Sequence, residues 1–413
     1  MSKQHLIIDN GAYNIKAGFN QGTDSSPHKI FNAITRTKDG LIHFGNQFKS
    51  HTNNFSGIQI KRPFEQGHLT SWETEKPIWD YTFDEISSPT KEVDPSEIHL
   101  TLTETPYQLP QLSSNTDQIV FEEYGFSEYY RCTAPSLVPF SVDPAEVSPD
   151  FTLVIDAGFN STWIMPMLYQ KVHWEGVRKL PIGGSLINGL LKEVISFRHY
   201  DISADPILIN TIKESTCFLA TDFNEALKKK AQLGCQFVLP DFKTTTTGYV
   251  VGPDTPPLPA DTQLLTLYDE RFTVPESFYH PEIIFDSNGS TASNSTLQAA
   301  PFKNLTDLVV SSIMSCPEVT RPLLSANIVL VGGTTNILNF KNRLLSELRR
   351  ELPSNWRVQV HEKQNGISQD ERSWYGGVSL TNQDIIREIT VSKKEYFEHG
   401  SNWCQNQFGF KNL

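Results

Sequence analysis

The chain opens on an apolar run, Leu6-Ile7-Ile8, closed by Asp9-Asn10-Gly11. The same pattern returns 147 residues later as Leu153-Val154-Ile155 followed by Asp156-Ala157-Gly158. Behind each lies a second strand-like stretch, residues 15–19 and 163–167. Strand, short turn with Asp and Gly, strand is the signature of a β-hairpin. Two such turns facing each other can grip phosphates through backbone N–H groups, with the pair Asp9 and Asp156 holding a hydrated Mg²⁺. The repetition predicts two similar half-molecules around one cleft.

The pattern elsewhere predicts mixed elements. Residues 61–72 lead into a helix ending near Phe83. Residues 87–96, with two prolines, read as a surface loop. Ile119-Val120-Phe121 reads as the core of a strand within residues 117–126, and residues 141–149 as a loop. Leu186, Ile187, Leu190, Leu191, Val194 and Ile195 fall at helical spacing over residues 185–197, and Gly183-Gly184 puts flexible backbone at that helix's start. Further helices are expected over residues 205–220, 224–233 and 305–314, and a proline-rich loop over 253–259. The Ser/Asn/Thr/Gly-rich stretch 286–299 has no readable role. A buried strand at 327–331 runs into Gly332-Gly333-Thr334 and then a helix over 338–352. Glycines at such a junction let backbone approach a ligand.

At 413 residues the chain is long enough for two or more domains, and its formal charge of −12 argues against sequence-wide binding to nucleic acid. Lys228-Lys229-Lys230 and Arg349-Arg350 read as solvated helix faces. Five scattered cysteines point to a reducing compartment without structural zinc. His199 and His280 have no ligand-spaced partners. With neither a secretory leader pattern nor a long apolar run, no membrane is expected.

Taken in order, the two hairpins and the Gly-Gly-Thr turn resemble actin and the actin-related proteins. Lys213-Glu214 matches the family's purine-side pair, and Gly184 its ribose-side glycine. Arg62-Pro63-Phe64-Glu65-Gln66-Gly67 through Ile78-Trp79 resembles the segment after the second subdomain. Residues 269–276 resemble the strand entering the third, and Trp374-Tyr375-Gly376-Gly377 the family's Trp-Ile-Gly-Gly segment. Phe121-Glu122-Glu123-Tyr124, residues 196–200, residues 237–242 with Gly248-Tyr249-Val250, and residues 391–410 are similar to the nuclear actin-related protein six class.

The resemblance implies an α/β, actin-like ATPase fold: two lobes, each with an RNase H-like core, and four subdomains around a nucleotide cleft. Residues 1–150 would form the first lobe, 151–378 the second, and 379–413 a segment returning to the first subdomain. The implied nucleotide site is Asp9, Asn10, Gly11, Lys16, Asp156, Gly158, Gly184, Lys213, Glu214, Gly332, Gly333 and Thr334. Asp9 and Asp156 would reach Mg²⁺ through water. ATP or ADP with Mg²⁺ is the cofactor to consider; zinc and haem are not expected. Asp9 and Asp156 also read as plain turn residues, and Lys213-Glu214 equally as a solvated pair on a helix.

Several positions depart from the family. Ala12 and Tyr13 stand where actin has a serine and a glycine. Ala157 and Phe159 stand where it has a serine and an aspartate. Trp163 takes the place of the histidine near the attacking water, Thr133 that of the water-positioning glutamine, and Asp370 falls near an adenine-side lysine. Orienting a nucleophile contributes roughly 10²–10⁴-fold in rate. Thr133 and Trp163 supply that poorly, so no catalytic residue is expected and hydrolysis is expected to be negligible. The class implies a structural subunit of a SWR-type chromatin remodelling complex, which exchanges nucleosomal histone dimers for dimers with the Z variant of the H-two-A histone. Implied partners are the remodeller's ATPase chain, a small zinc-finger subunit and the nucleosome, both histones and DNA. The implied location is the nucleus, with a cytoplasmic pool. The alternative is a free actin-fold nucleotide-binding protein or weak ATPase. Lys38-Asp39-Gly40 reads as a short turn where actin has its intersubunit loop, so no self-polymerisation is expected. The C-terminal aromatics Tyr396, Phe397, Trp403, Phe408 and Phe410 read as core or as a partner surface.

Overall fold

The computed structural model describes residues 4–20, 26–51, 54–87, 94–243, 245–259, 261–286, 303–362 and 366–409. Both hairpins form. Strand Gln4–Asn10 pairs antiparallel with Asn14–Phe19, setting Asp9 opposite Lys16. Strand Phe151–Ala157 pairs antiparallel with Thr162–Leu168, setting Asp156 opposite Trp163. Leu6, Ile7, Ile8, Leu153, Val154 and Ile155 are fully buried. Such unbroken apolar runs suit strands covered on both faces.

Each hairpin grows into a mixed sheet in the same way. Gln4–Asn10 runs parallel to Ile98–Glu104, which runs parallel to Glu128–Thr133. Phe151–Ala157 runs parallel to Ile328–Val331, which runs parallel to Val360–His361. A third antiparallel strand flanks each hairpin: His28–Phe31 on the first, Arg178–Leu180 on the second. The sequence repeat is therefore a repeat of sheet topology, one copy per lobe of an actin-like fold. Val391–Ser392 adds to the edge of the first sheet beside Glu128–Thr133. Helix Arg372–Thr381 packs on Gln4–Asn10, with Trp374 Nε1 donating to the Ile7 carbonyl at 3.2 Å. Gly376 abuts the Leu137 carbonyl so closely that no side chain would fit there.

Some expectations need correction. Residues 119–121 are helical: helix Pro110–Gln118 continues into a wider turn, Ile119–Tyr124, ending at Gly125 with φ 75°. The β-branched pair Ile119-Val120 favours a strand locally. Helical winding instead buries Val120 and stacks Phe121 on Tyr396 at 4.6 Å, and packing overrides propensity. Residues 269–276 are also helical, as turns Glu270–Thr273 and Pro275–Phe278. Pro275 lacks the N–H a ladder needs and suits the first position of a turn. Helix Pro206–Thr216 stops early because Phe218 bridges to Leu338. Helix Phe223–Lys228 leaves Lys229 and Lys230 in the turns that follow. A 3₁₀ turn, Gly333–Asn336, separates Gly332 from helix Phe340–Glu351. Helix Trp72–Ile86 runs past Phe83.

Strands Ile34–Arg36 and Ile42–Phe44 pair antiparallel around Lys38-Asp39-Gly40, with Gln59–Lys61 alongside. Tyr396 is buried, Phe408 packs on Tyr129 at 5.4 Å, and Phe397 is exposed. Phe410, residues 88–93 of the polar loop and all of the 286–299 insert after Asp286 lie outside the described residues. Among the described residues, no helix is long and apolar enough to cross a membrane.

Candidate functional site

A cavity of about 510 Å³ lies between the hairpins, and all 12 residues expected at a nucleotide site line it. It falls within the size range of small-molecule and cofactor pockets.

The first hairpin meets its own carboxylate. Lys16 Nζ donates to Asp9 Oδ2 at 2.9 Å, and Thr103 Oγ1 donates to Asp9 Oδ1 at 2.8 Å. In the second hairpin the 147-residue offset puts Trp163 where Lys16 stands. On the neighbouring parallel strand, Val331 occupies the register position that Thr103 has beside Asp9. Asp156 thus has neither donor, and its carboxylate makes no hydrogen bond among the described residues. Burial, with Asp9 nearby, pushes its carboxyl up from 3.8 to about 6, against the pull of Lys16. Burial disfavours the Lys16 charge, but Asp9, Asp370 and Asp156 outweigh it and hold the ammonium above its ordinary range.

One ammonium therefore serves two facing carboxylates. Among the described residues, no group of three His, Cys, Asp or Glu side chains could grip a metal directly. Two unevenly neutralised carboxylates suit a cation that keeps its water shell, as Mg²⁺ does. The donor set fits water-mediated Mg²⁺ at Asp9 and Asp156.

The turns suit phosphate. The backbone N–H groups of Ala12, Tyr13, Phe159 and Asn160 make no hydrogen bond among the described residues, and all four residues line the cavity. Gly332 adopts φ 88°, and a Cβ there would sit 2.7 Å from Asp156 Oδ1. Only glycine takes this position without strain. The Gly184 N–H donates to the Gly158 carbonyl at 3.1 Å, and Thr334 Oγ1 donates to the same carbonyl at 2.8 Å. At the far corner Lys213 Nζ lies 3.3 Å from where a Gly184 Cβ would be. Asn210 joins the family's purine-side pair: Lys213 donates to Asn210 Oδ1 at 2.8 Å, and Asn210 Nδ2 donates to Glu214 Oε1 at 2.8 Å. Lys213 is buried, which lowers its pKa, so it is not a solvated surface lysine.

The departures have clear structural consequences. Thr133 is buried, its hydroxyl has no partner among the described residues, and the next two residues, Ala134 and Pro135, line the cavity in its stead. Trp163 lines the cavity with the Lys179 ammonium 5.0 Å from its ring. Asp370 pairs with Lys29 at 2.9 Å, in the field of Lys16. Lys29 and Thr103, which line the cavity, and Arg62, whose Nη1 donates to the Ala12 carbonyl of the first turn at 3.1 Å, are positions the sequence does not reveal. Lys29 sits opposite Lys16 in register, and Thr103 sits beside Asp9 across a parallel pairing. Both depend on strand register, which carries no local signal. Arg62 lay within a quoted motif but gave no hint of its neighbours.

The sequence profile of the actin family matches residues 1–409. The chain belongs to the actin family. It is 63% identical to the actin-like protein ARP6 of Candida albicans, over 99% of each chain. It is 61% identical to ARP6 of Debaryomyces hansenii and 35% identical to ARP6 of Saccharomyces cerevisiae, over 100% of each chain in both cases. Proteins of the actin fold generally bind a nucleotide with Mg²⁺. In this actin-family cleft, the hairpin amides, Lys16 and the Asp pair are the parts that would meet phosphate and cation. Lys213 and Glu214 would meet the nucleoside end.

Proposed function

We propose that this chain is a non-catalytic structural subunit that keeps the actin cleft as a nucleotide-binding frame. The observation that carries this reading is a split in the cavity. The parts of a phosphate cradle are together, while the positions that would orient an attacking water hold Trp163 and a Thr133 excluded from the lining. Similarity to ARP6 relatives along the whole chain supports a place in a SWR-type remodelling complex. There the subunit docks on the ATPase chain with a small zinc-finger partner, meets the nucleosome and supports exchange of histone dimers for dimers with the Z variant of the H-two-A histone. The setting is nuclear, with a cytoplasmic pool. A free actin-fold nucleotide-binding protein or weak ATPase is the second reading, favoured by the Asp156 carboxylate, which lines the cavity with no hydrogen-bond partner among the described residues.

Purification under native conditions tests both. Mass spectrometry should find intact nucleotide and the remodeller's subunits, and single-turnover assays should show no hydrolysis. A lone chain that turns ATP over would overturn the proposal in favour of the second reading.

A further inference from the structure

Side chains from the two hairpins meet each other across the cleft. Tyr13 from the first hairpin and Phe159 from the second meet with ring centroids 4.9 Å apart. The Arg62 guanidinium lies 4.7 Å from both centroids and 4.6 Å from that of Phe31. Its Nη1 donates to the carbonyls of Ala12 at 3.1 Å and Asn32 at 3.2 Å. Among the described residues no carboxylate pairs with Arg62. Tyr13 and Phe159 line the cavity and Arg62 does not, so it braces the two rings from behind. A second bridge between the lobes lies beside this one. The Gly57 N–H donates to Asp205 Oδ1 at 2.7 Å, and Ile207 packs against the apolar cluster of Phe31, Phe48 and Ile58.

Opening the cleft would separate Tyr13 from Phe159, strip Arg62 of one ring and wet the freed faces. Stacked rings and a desolvated cation–π contact oppose that. Neither depends on a ligand. We propose that Tyr13, Phe159 and Arg62 form a latch that ties the two lobes together beside the cavity, and that a nucleoside phosphate enters or leaves faster when the latch opens. The second half rests on the nucleotide-binding reading above; the first does not.

The test uses the full chain, Phe159→Ala and Asp205→Ala. Hydrogen exchange of the ligand-free proteins reports opening over residues 11–16 and 157–162. Release of a fluorescent mant-ADP with Mg²⁺ reports gating. Phe159→Ala should speed both by about tenfold or more, the loss expected from one aromatic pair and one cation–π contact. Asp205→Ala, at a residue outside the cavity lining, should act in the same direction more weakly. It carries the test if Phe159→Ala fails to fold. Hairpin exchange unchanged in the folded variants overturns the latch. If mant-ADP fails to bind the wild type, the nucleotide reading falls, and ligand-free exchange alone decides the latch.

Discussion

Replacing Asp156 by Asn should make the protein more stable and its cleft less able to hold a charged ligand. The isosteric amide keeps the hairpin and removes the charge that faces Asp9. A carboxyl raised from 3.8 to about 6 represents about 3 kcal/mol of disfavoured charge. Asp156 is only partly buried, so water in the cleft screens part of this, and the expected gain at pH 7.5 is about 1–2 kcal/mol. The sign follows from proton binding. Between 3.8 and about 6 the folded state holds a proton that the unfolded chain releases, so stability falls as pH rises through that window. Asparagine abolishes this term. The gain should therefore grow from pH 4.5 to 7 and level off above.

Urea denaturation followed by tryptophan fluorescence, run across pH 4.5–8 on both proteins, measures the difference. Repeating it with Mg²⁺ and ADP adds the functional arm. A ligand at a hundred times its dissociation constant stabilises by about 2.7 kcal/mol, and the variant should gain clearly less than the wild type. A variant less stable than wild type at pH 7.5, or an offset that ignores pH, would refute the argument that Asp156 is an unmatched charge.

Gly332→Ala forces a side chain onto backbone at φ 88°, with its Cβ 2.7 Å from Asp156 Oδ1. It should cost about 2 kcal/mol or more, and an unchanged thermal midpoint would count against it. Glu75 is fully buried, accepts from Asn32 at 3.3 Å and Trp79 at 3.2 Å, and burial pushes its carboxyl from 4.5 to about 7. The sign is the same as for Asp156: Glu75→Gln should stabilise by about 3 kcal/mol at pH 8 and by little at pH 4.5. A flat difference across that range in urea titrations argues the other way. Leu41 and Ile42 are exposed beside a short hairpin turn. The chain should nonetheless stay in the supernatant when sedimented in polymerising salt, and a pelleted polymer would reverse the expectation.

Much of the site was legible because its parts are local. A hairpin turn announces itself through Asp and Gly flanked by apolar runs, and Gly332 through its place between strand and turn. What could not be read depends on contacts between distant segments. Arg62 becomes a brace only once His28–Phe31 and both hairpins are in place. Thr103 matters because of a parallel register across 94 residues. Ile119-Val120 carried the wrong local signal, and the packing of Phe121 on Tyr396 decided its winding. The repeat itself carries one further signal: stepping 147 residues from Lys16 lands on Trp163, so the second carboxylate lacks its cation.

That missing cation is the strongest physical argument that the cleft serves a ligand. Both hairpins share one backbone plan, so the second does not need a carboxylate in order to fold. Trp163 and Val331 show that apolar side chains are tolerated on either side of that position. An amide or apolar residue at 156 would relieve the repulsion from Asp9 and leave the pairing intact. The chain carries Asp there instead, next to a glycine that admits no side chain and turn amides with no partner among the described residues. The Asp156 charge is unfavourable in the protein alone and becomes favourable beside a hydrated divalent cation, and the turn amides offer donors to phosphate oxygens. The proposed loss of catalysis does not remove this reasoning, because Thr133 and Trp163 would bear on water attack, whereas Asp156, Gly332 and the turn amides would bear on binding.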